Sequence, residues 1–384
     1  MTDAASLITF YKQHGISPVR QDISDLHTHF TRRSALYRHL GLLPSMIRDR
    51  TVLEVGPGGG FNSLHVATLR PSRYVLLEAN PTGVRDIHAL FGNFPELKER
   101  IEVVQEMVEH YDTTERFDVV LCEGVLALAG VPNPVDLLRA VARFVAPGGV
   151  LVITCMDAVS GFAETLRRLV AQLLIDPGDS LSGRCEQLMP VFSPHLATLS
   201  GMSRRHDDWI VDNLLSPASI GPYLSIPNAI EGIAGEFELL SASPQFFTDW
   251  RWYKAIVPGQ TRYNEIGIQQ YWQNVHNLLD YRTVSAPRSI EENRRLYASC
   301  DMARNRIRQF ESTRDVRLVQ TVLVHVREVA QQVHGFNEDV ATILAELRVL
   351  APPFPELARQ LVDSQQFAPW FGRGQQYLSF TRNA

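Results

Sequence analysis

The sequence predicts an α/β protein: a doubly wound, mostly parallel seven-stranded sheet with an insertion and a helical C-terminal domain. Three observations carry that expectation. From residue 51 short apolar runs alternate with segments of helical period, a glycine-rich turn joins the first run to the first helix, and beyond residue 258 the pattern becomes almost wholly helical.

The elements follow in order. TVLEV (51–55) has the composition of a buried strand, and the PGGG turn after it opens a helix over 61–69. RYVLLEA (73–79) is a second strand, with NPTG as its turn and a helix over 84–91. IEVVQ (101–105) and FDVVLCE (117–123) are the third and fourth. A helix over 134–145 is stopped by Pro147-Gly148-Gly149, and VLVITC (150–155) makes the fifth. Strands joined by helical crossovers place a ligand crevice at their carboxyl ends. After a helix ending near Leu174, the stretch 176–195 is rich in turn residues and 207–215 is helical, so 177–225 reads as an inserted lid or substrate-binding layer. EFELLSASP (236–244) and RWYKAIV (251–257) supply the last two strands. Residues 289–310 and 316–336 are amphipathic helices. The expected domains are an N-terminal helical cap over 1–50, a Rossmann-like domain over 51–257 and a helical C-terminal domain over 258–384.

Charge and cysteine content narrow the function classes. With 37 basic and 42 acidic residues the chain carries a formal charge of −5, so a strong non-specific grip on nucleic acid is not expected. Cys122, Cys155, Cys185 and Cys300 are far apart and make neither a zinc-site spacing nor a disulfide framework. No leader-like start and no apolar run of about eighteen residues is present, which reads as a cytoplasmic protein without membrane insertion.

The stretch Leu53-Glu54-Val55-Gly56-Pro57-Gly58-Gly59-Gly60-Phe61-Asn62 lies between strand and helix. Its glycines let a ligand approach the backbone where a side chain would intrude. A nicotinamide dinucleotide fingerprint needs glycine at the sixth position counted from Gly56, and Phe61 stands there. Glu78, at the end of the second strand, can accept hydrogen bonds from both hydroxyls of a ribose. Gly56, Gly58 and Gly60 preceded by Glu54, then Glu78 and Asn80, Gln105-Glu106-Met107, residues 117–124 and APGGVLVIT (146–154), together resemble the class I S-adenosylmethionine-dependent methyltransferases. The resemblance covers 51–155, with a weaker extension to 257.

That resemblance implies S-adenosyl-L-methionine as cofactor and an antiparallel last strand. It implies that Glu54 anchors the methionine end indirectly, that Glu106 receives the adenine amino group, that Met107 packs on the ring, and that Glu123 with Gly124 lines the floor near the methionine. Many members carry aspartate where Glu106 stands. Asn80 either contributes to the site or caps the following helix.

Methyl transfer requires the acceptor lone pair in line with the sulfur–methyl bond, and an alcohol acceptor gains from a base while a carboxylate needs none. Two regions can supply such groups. In the N-terminal segment Tyr11 could close over the methionine, His29 could act as base and Arg33 could pair with an anion. His27 and His29 have the spacing of a strand-like metal pair without a third ligand, so no metal is expected. In the insertion, Arg204-Arg205-His206-Asp207-Asp208-Trp209 offers a base, carboxylates and an aromatic platform. His206 leads the candidate bases, followed by His195 and His29.

Arg251-Trp252-Tyr253 is expected to pack the sheet on the C-terminal helices, and 367–371 to be a docking segment. The expected activity is methylation at oxygen or nitrogen of a small-molecule or sugar-containing acceptor. The alternatives are a protein or RNA methyltransferase, a non-catalytic methyltransferase-like binding protein, and a nicotinamide oxidoreductase. The C-terminal lobe could also pair two subunits into a homodimer.

Overall fold

The computed structural model describes the chain except residues 1–8, 12, 17–21, 129–132, 218–221, 258–261 and 347–361. Its backbone divides into two compact units, one of residues 1–156, 220–271 and 375–384, the other of residues 157–219 and 272–374.

The first unit holds a seven-stranded sheet in the order β3-β2-β1-β4-β5-β7-β6, with β1 Thr51–Val55, β2 Arg73–Leu77, β3 Ile101–Val104, β4 Phe117–Cys122, β5 Val145–Cys155, β6 Phe237–Ser243 and β7 Gln376–Arg382. β1 to β5 are parallel, and β7 runs antiparallel to both of its neighbours. Helix α1 (Leu26–His39), α2 (Ser63–Thr68), α3 (Pro81–Gly92) and α4 (Pro134–Ala142) belong to the same unit. One core joins Tyr37 of α1 and Leu40 just after it, Leu64 and Val66 of α2 and Ile87 and Phe91 of α3 to Val52, Tyr74, Leu76, Val119, Leu121, Val150 and Val152 of the sheet. Each of these strands presents every second residue to that face, the period-2 pattern of a strand covered by helices. α3 starts where Pro81 stands at its first position and Asn80 Oδ1 accepts from Thr82 N–H at 3.1 Å.

Several boundaries differ from the sequence expectation. The seventh strand is Gln376–Arg382, not 251–257, where only the short 3-10 turn Tyr253–Ala255 forms. QYLSFTR pairs with β5 on one side and β6 on the other, Leu378, Ser379 and Phe380 are buried in succession as in a strand covered on both faces, and its Ser379 hydroxyl donates to Leu40 O at 2.6 Å. RWYKAIV is rich in strand-formers but every residue of it is exposed. Pro147-Gly148-Gly149 does not end α4, which stops at Ala142. It lies inside β5, where the register against β4 shifts between Phe117 and Val119.

The second unit takes the chain twice. α5 (Phe162–Leu174), α6 (Leu181–Leu196) and α7 (His206–Ile210) come first. The turn-rich reading of 176–195 is corrected by α6. Ser180 caps it by accepting from Gly183 N–H, and Leu181, Cys185, Leu188, Phe192 and Leu196 bury one helical stripe despite Pro190 and Pro194. The chain then returns to the first unit for α8 (Ile226–Ile233), β6 and the start of α9 (Tyr263–Asn274). Asn264 of α9 covers the outer edge of β6, accepting from Leu239 N–H and donating to Phe237 O, both at 2.8 Å. The second visit adds α10 (Ile290–Thr313), α11 (Arg317–Val333) and α12 (Glu338–Glu346). Residues 367–371 are no docking segment. Phe367 and Trp370 are fully buried in this unit, and the Trp370 ring N–H donates to Leu279 O at 2.9 Å. The compact units therefore do not follow the boundaries expected at 177 and 258, because the insertion and the later helices share one unit and the last strand rejoins the sheet.

Candidate functional site

The carboxyl ends of β1, β2 and β4 stand side by side in the sheet order, and the residues after each carry the polar groups of the first unit. After β1 the chain turns through Gly56, Gly58 and Gly60, at φ of 68°, 59° and 79°. Gly56 is required twice over: its backbone is left-handed, and a Cβ there would lie 2.2 Å from Val125 Cγ2. Gly83, in the first turn of α3, was not singled out from sequence. A Cβ on it would lie 2.9 Å from Gly58 O and 3.0 Å from Glu78 Cγ, so its bareness lets the helix close on the turn.

Glu78 ties these pieces together. Its carboxylate accepts from Gly58 N–H at 2.8 Å and Asn80 N–H at 2.7 Å. Burial pushes its pKa up to about 7, opposed by those backbone hydrogen bonds. Asn80, besides capping α3, donates its amide to Ile16 O at 3.0 Å. Ile16 N–H in turn donates to Tyr11 O, so the segment bearing the buried Tyr11 lies beside the end of β2. Glu54 sits within β1, buried, and is bonded by the Tyr74 hydroxyl. Burial raises it to about 7 as well.

At the end of β4, Glu123 forms a buried pair with Arg33 of α1 at 2.6 Å. Arg33 also donates to the Tyr37 hydroxyl at 2.9 Å, and that hydroxyl donates to Glu123 at 3.2 Å. Glu123 Oε2 and Arg33 Nε are buried and have no hydrogen-bond partner among the described residues. Gly124 N–H donates to Thr154 Oγ1 of β5 at 2.7 Å, which fixes the backbone after Glu123. His29, Arg33 and Tyr37 recur every fourth residue as the buried stripe of α1. His29 Nε2 lies 3.1 Å from Phe61 O. The carbonyl can only accept, so the proton is on Nε2 and the Nδ1 lone pair is left over. Burial lowers the pKa of this ring.

The remaining expected residues fall elsewhere. Glu106 is exposed and accepts from its neighbour Met107 N–H at 2.9 Å, while Met107 is half-buried. His195 and His206 belong to the second unit. His195 is buried, held edge-on between Phe192 and Phe367, with Nε2 3.3 Å from Val362 O and its pKa lowered by burial to about 4. His206 opens α7 in a charged turn, where Arg205 pairs with Asp207 at 2.5 Å and Arg204 with Asp212. Trp209 stands edge-on to Phe371, 6.3 Å between centroids. Sequence reasoning named Arg33 and Glu123 separately but missed their pairing and Tyr37. The spacing His29, Arg33, Tyr37 on a helix with a polar buried face was the available signal. Among the described residues no three His, Cys, Asp or Glu side chains gather as a metal site would require, and no helix is long and apolar enough to cross a membrane.

Residues 53–153 match the family model described as "Methyltransferase domain". The chain is similar to the ubiquinone biosynthesis O-methyltransferases of Serratia proteamaculans, at 37% identity over 27% of this chain and 41% of that protein, and of Paracidovorax citrulli, at 35% over 28% and 44%. It therefore spans less than half the length of the curated relatives it matches. Among solved structures, PKMT2 from Rickettsia typhi in complex with AdoHcy resembles it at a TM-score of 0.41 and 15% identity, over 59% of this chain and 46% of that one.

Proposed function

We propose, for a chain whose sheet-forming unit holds a domain of the class I S-adenosylmethionine-dependent methyltransferases, that the protein methylates an oxygen or nitrogen of a small-molecule or sugar-containing acceptor. S-adenosyl-L-methionine supplies an activated methyl group when bound. The observation that carries this reading is Glu78, a nearly buried carboxylate that clamps the glycine turn through Gly58 N–H and is the natural acceptor for two ribose hydroxyls. Gly56 and Gly83 let Val125, the turn and Glu78 pack closely on one another, which fixes the backbone that a ligand would meet.

The methionine end is assigned to Arg33 and Glu123. Their buried, unmatched atoms Nε and Oε2 offer a donor toward a carboxylate and an acceptor toward an ammonium group. Tyr11 and the segment it belongs to exclude water at the β2 end. Glu106 and Met107 are proposed for the adenine edge, and Asn80 acts through the cap of α3. Of the histidines, His29 is the base we assign first, because it shares the glycine turn's unit and keeps a free Nδ1 lone pair. His206 and His195 follow it. The relatives are O-methyltransferases by name, which favours oxygen over nitrogen.

Titration calorimetry of the full chain against S-adenosylmethionine, S-adenosylhomocysteine and NAD tests the reading. Binding of the first two and not the third is expected, with Glu78→Ala weakening it by about tenfold or more. Preference for NAD, or no binding of either sulfur nucleoside by the folded protein, would overturn it.

A further inference from the structure

The loop between β6 and α9 has no role in the site above, and its composition is unusual. Residues 248–257 are exposed without interruption. Trp250 is 90% exposed, Trp252 66% and Tyr253 69%, so the expected packing of these rings on the helices does not occur. Among the described residues eleven large apolar side chains are exposed, and five of them, Trp250, Trp252, Tyr253, Ile256 and Val257, fall in this one stretch. Singly scattered apolar side chains are ordinary on a protein surface, whereas such clustering marks an interaction site.

The loop is held at its base and free at its tip. Thr248 N–H donates to Gln270 Oε1 at 2.9 Å, and Gln270 Nε2 donates to Thr248 O at 3.1 Å. Phe246 lies edge-on to Tyr271, and Gly267 lets α9 sit against Leu239 of β6, where a Cβ would be 2.4 Å from Leu239 Cδ2. Loop and helix are thus fastened to the edge of the sheet, and the rings project from a fixed stem.

Three rings and two cations are interspersed along Trp250-Arg251-Trp252-Tyr253-Lys254. The Lys254 ammonium lies 5.4 Å from the Trp252 ring and 5.7 Å from that of Tyr253. Two cations stand against one carboxylate, Asp249, which is already engaged by Arg251 at 2.6 Å. Within a chain of formal charge −5 the tip is locally positive. Two copies of this loop facing each other would oppose like charges with no spare anion between them, which counts against a second copy as its occupant. Amphipathic rings flanked by Arg and Lys match a phospholipid interface, where the rings enter the headgroup region and the cations meet phosphates.

We propose that residues 250–257 dock the protein on the surface of a phospholipid bilayer, lying in the interface without crossing it. β6 runs parallel to β5, so the loop leaves the sheet at the same carboxyl end as the glycine turn, and docking turns that end of the sheet toward the bilayer.

The test is co-sedimentation of the full chain with vesicles of phosphatidylcholine alone or mixed with phosphatidylglycerol, together with tryptophan emission and its quenching by brominated lipid. The wild-type protein should partition onto both, more strongly onto the anionic mixture, with a blue shift and quenching. The triple variant W250S/W252S/Y253S should lose about tenfold or more in partitioning while keeping its melting temperature and its affinity for S-adenosylhomocysteine. R251A/K254A should weaken only the anionic preference. Failure of the wild-type to partition, or equal partitioning of the triple variant, overturns the proposal. So does sedimentation equilibrium showing self-association that the triple variant loses while vesicles are ignored.

Discussion

Glu78 after β2 and Glu123 after β4 flank the same glycine turn, and both are withdrawn from water, yet their surroundings answer the buried charge differently. Glu78 meets neutral backbone N–H groups and its pKa is driven up to about 7. Glu123 meets a guanidinium at 2.6 Å with a phenol beside it. The first arrangement costs little to reorganise, since a proton or a pair of sugar hydroxyls can satisfy the carboxylate. The second is an ion pair in which neither member can be removed alone without leaving its partner charged in a dry place. The β2 end of the crevice is thus tunable by pH, and the β4 end is a rigid wall.

Arg33→Ala should have the largest effect, destabilising the fold by about 3–5 kcal/mol in a denaturant titration, and the double variant Arg33→Met/Glu123→Leu should recover much of that loss. Additive losses in the double variant would show that the wall is not a unit. Next comes the pH dependence of stability. The folded pKa values of Glu54 and Glu78 are raised to about 7, so between the usual carboxylate range and pH 7 the folded state binds more protons than the unfolded one. Unfolding free energy therefore falls as pH rises through that window, by on the order of a few kcal/mol, and Glu54→Gln should flatten the curve. Gly56→Ala should cost about 1–3 kcal/mol through the left-handed backbone and the Val125 clash, read as a lowered melting temperature. The smallest effect sharpens the comparison most. Affinity for S-adenosylhomocysteine should fall by about tenfold as pH drops from 8 to 6, because a protonated Glu78 accepts fewer hydrogen bonds, and the slope should vanish in Glu78→Gln. A slope that survives that change assigns the titration to another group.

The β2 end was legible in the sequence because it is local: the glycine turn, the strand after it and Glu78 lie within one βαβ unit, whose patterns of burial and turn chemistry are written in adjacent residues. The β4 end was only half legible. Glu123 could be placed at a strand end, but Arg33 is 90 positions away and its partner depends on how α1 lies on the sheet. The same reason explains the misplaced last strand. RWYKAIV has the residue types of a strand, and only the pairing of QYLSFTR with both β5 and β6 decides which segment fills the slot. Helix α6 was obscured by two prolines whose local meaning is a turn, until the apolar stripe from Leu181 to Leu196 found a surface to bury against.

The position of β7 has a consequence for how the chain is assembled. Between β5 and its antiparallel neighbour lies all of the second unit, residues 157–219 and 272–374, so that pairing carries a high contact order and a large loop-closure entropy. During synthesis β5 must wait with an open, apolar edge while the intervening helices emerge, a state prone to pairing with another chain. Refolding should accordingly be limited by this late insertion, and a peptide of residues 376–382 supplied early should compete for the vacant slot.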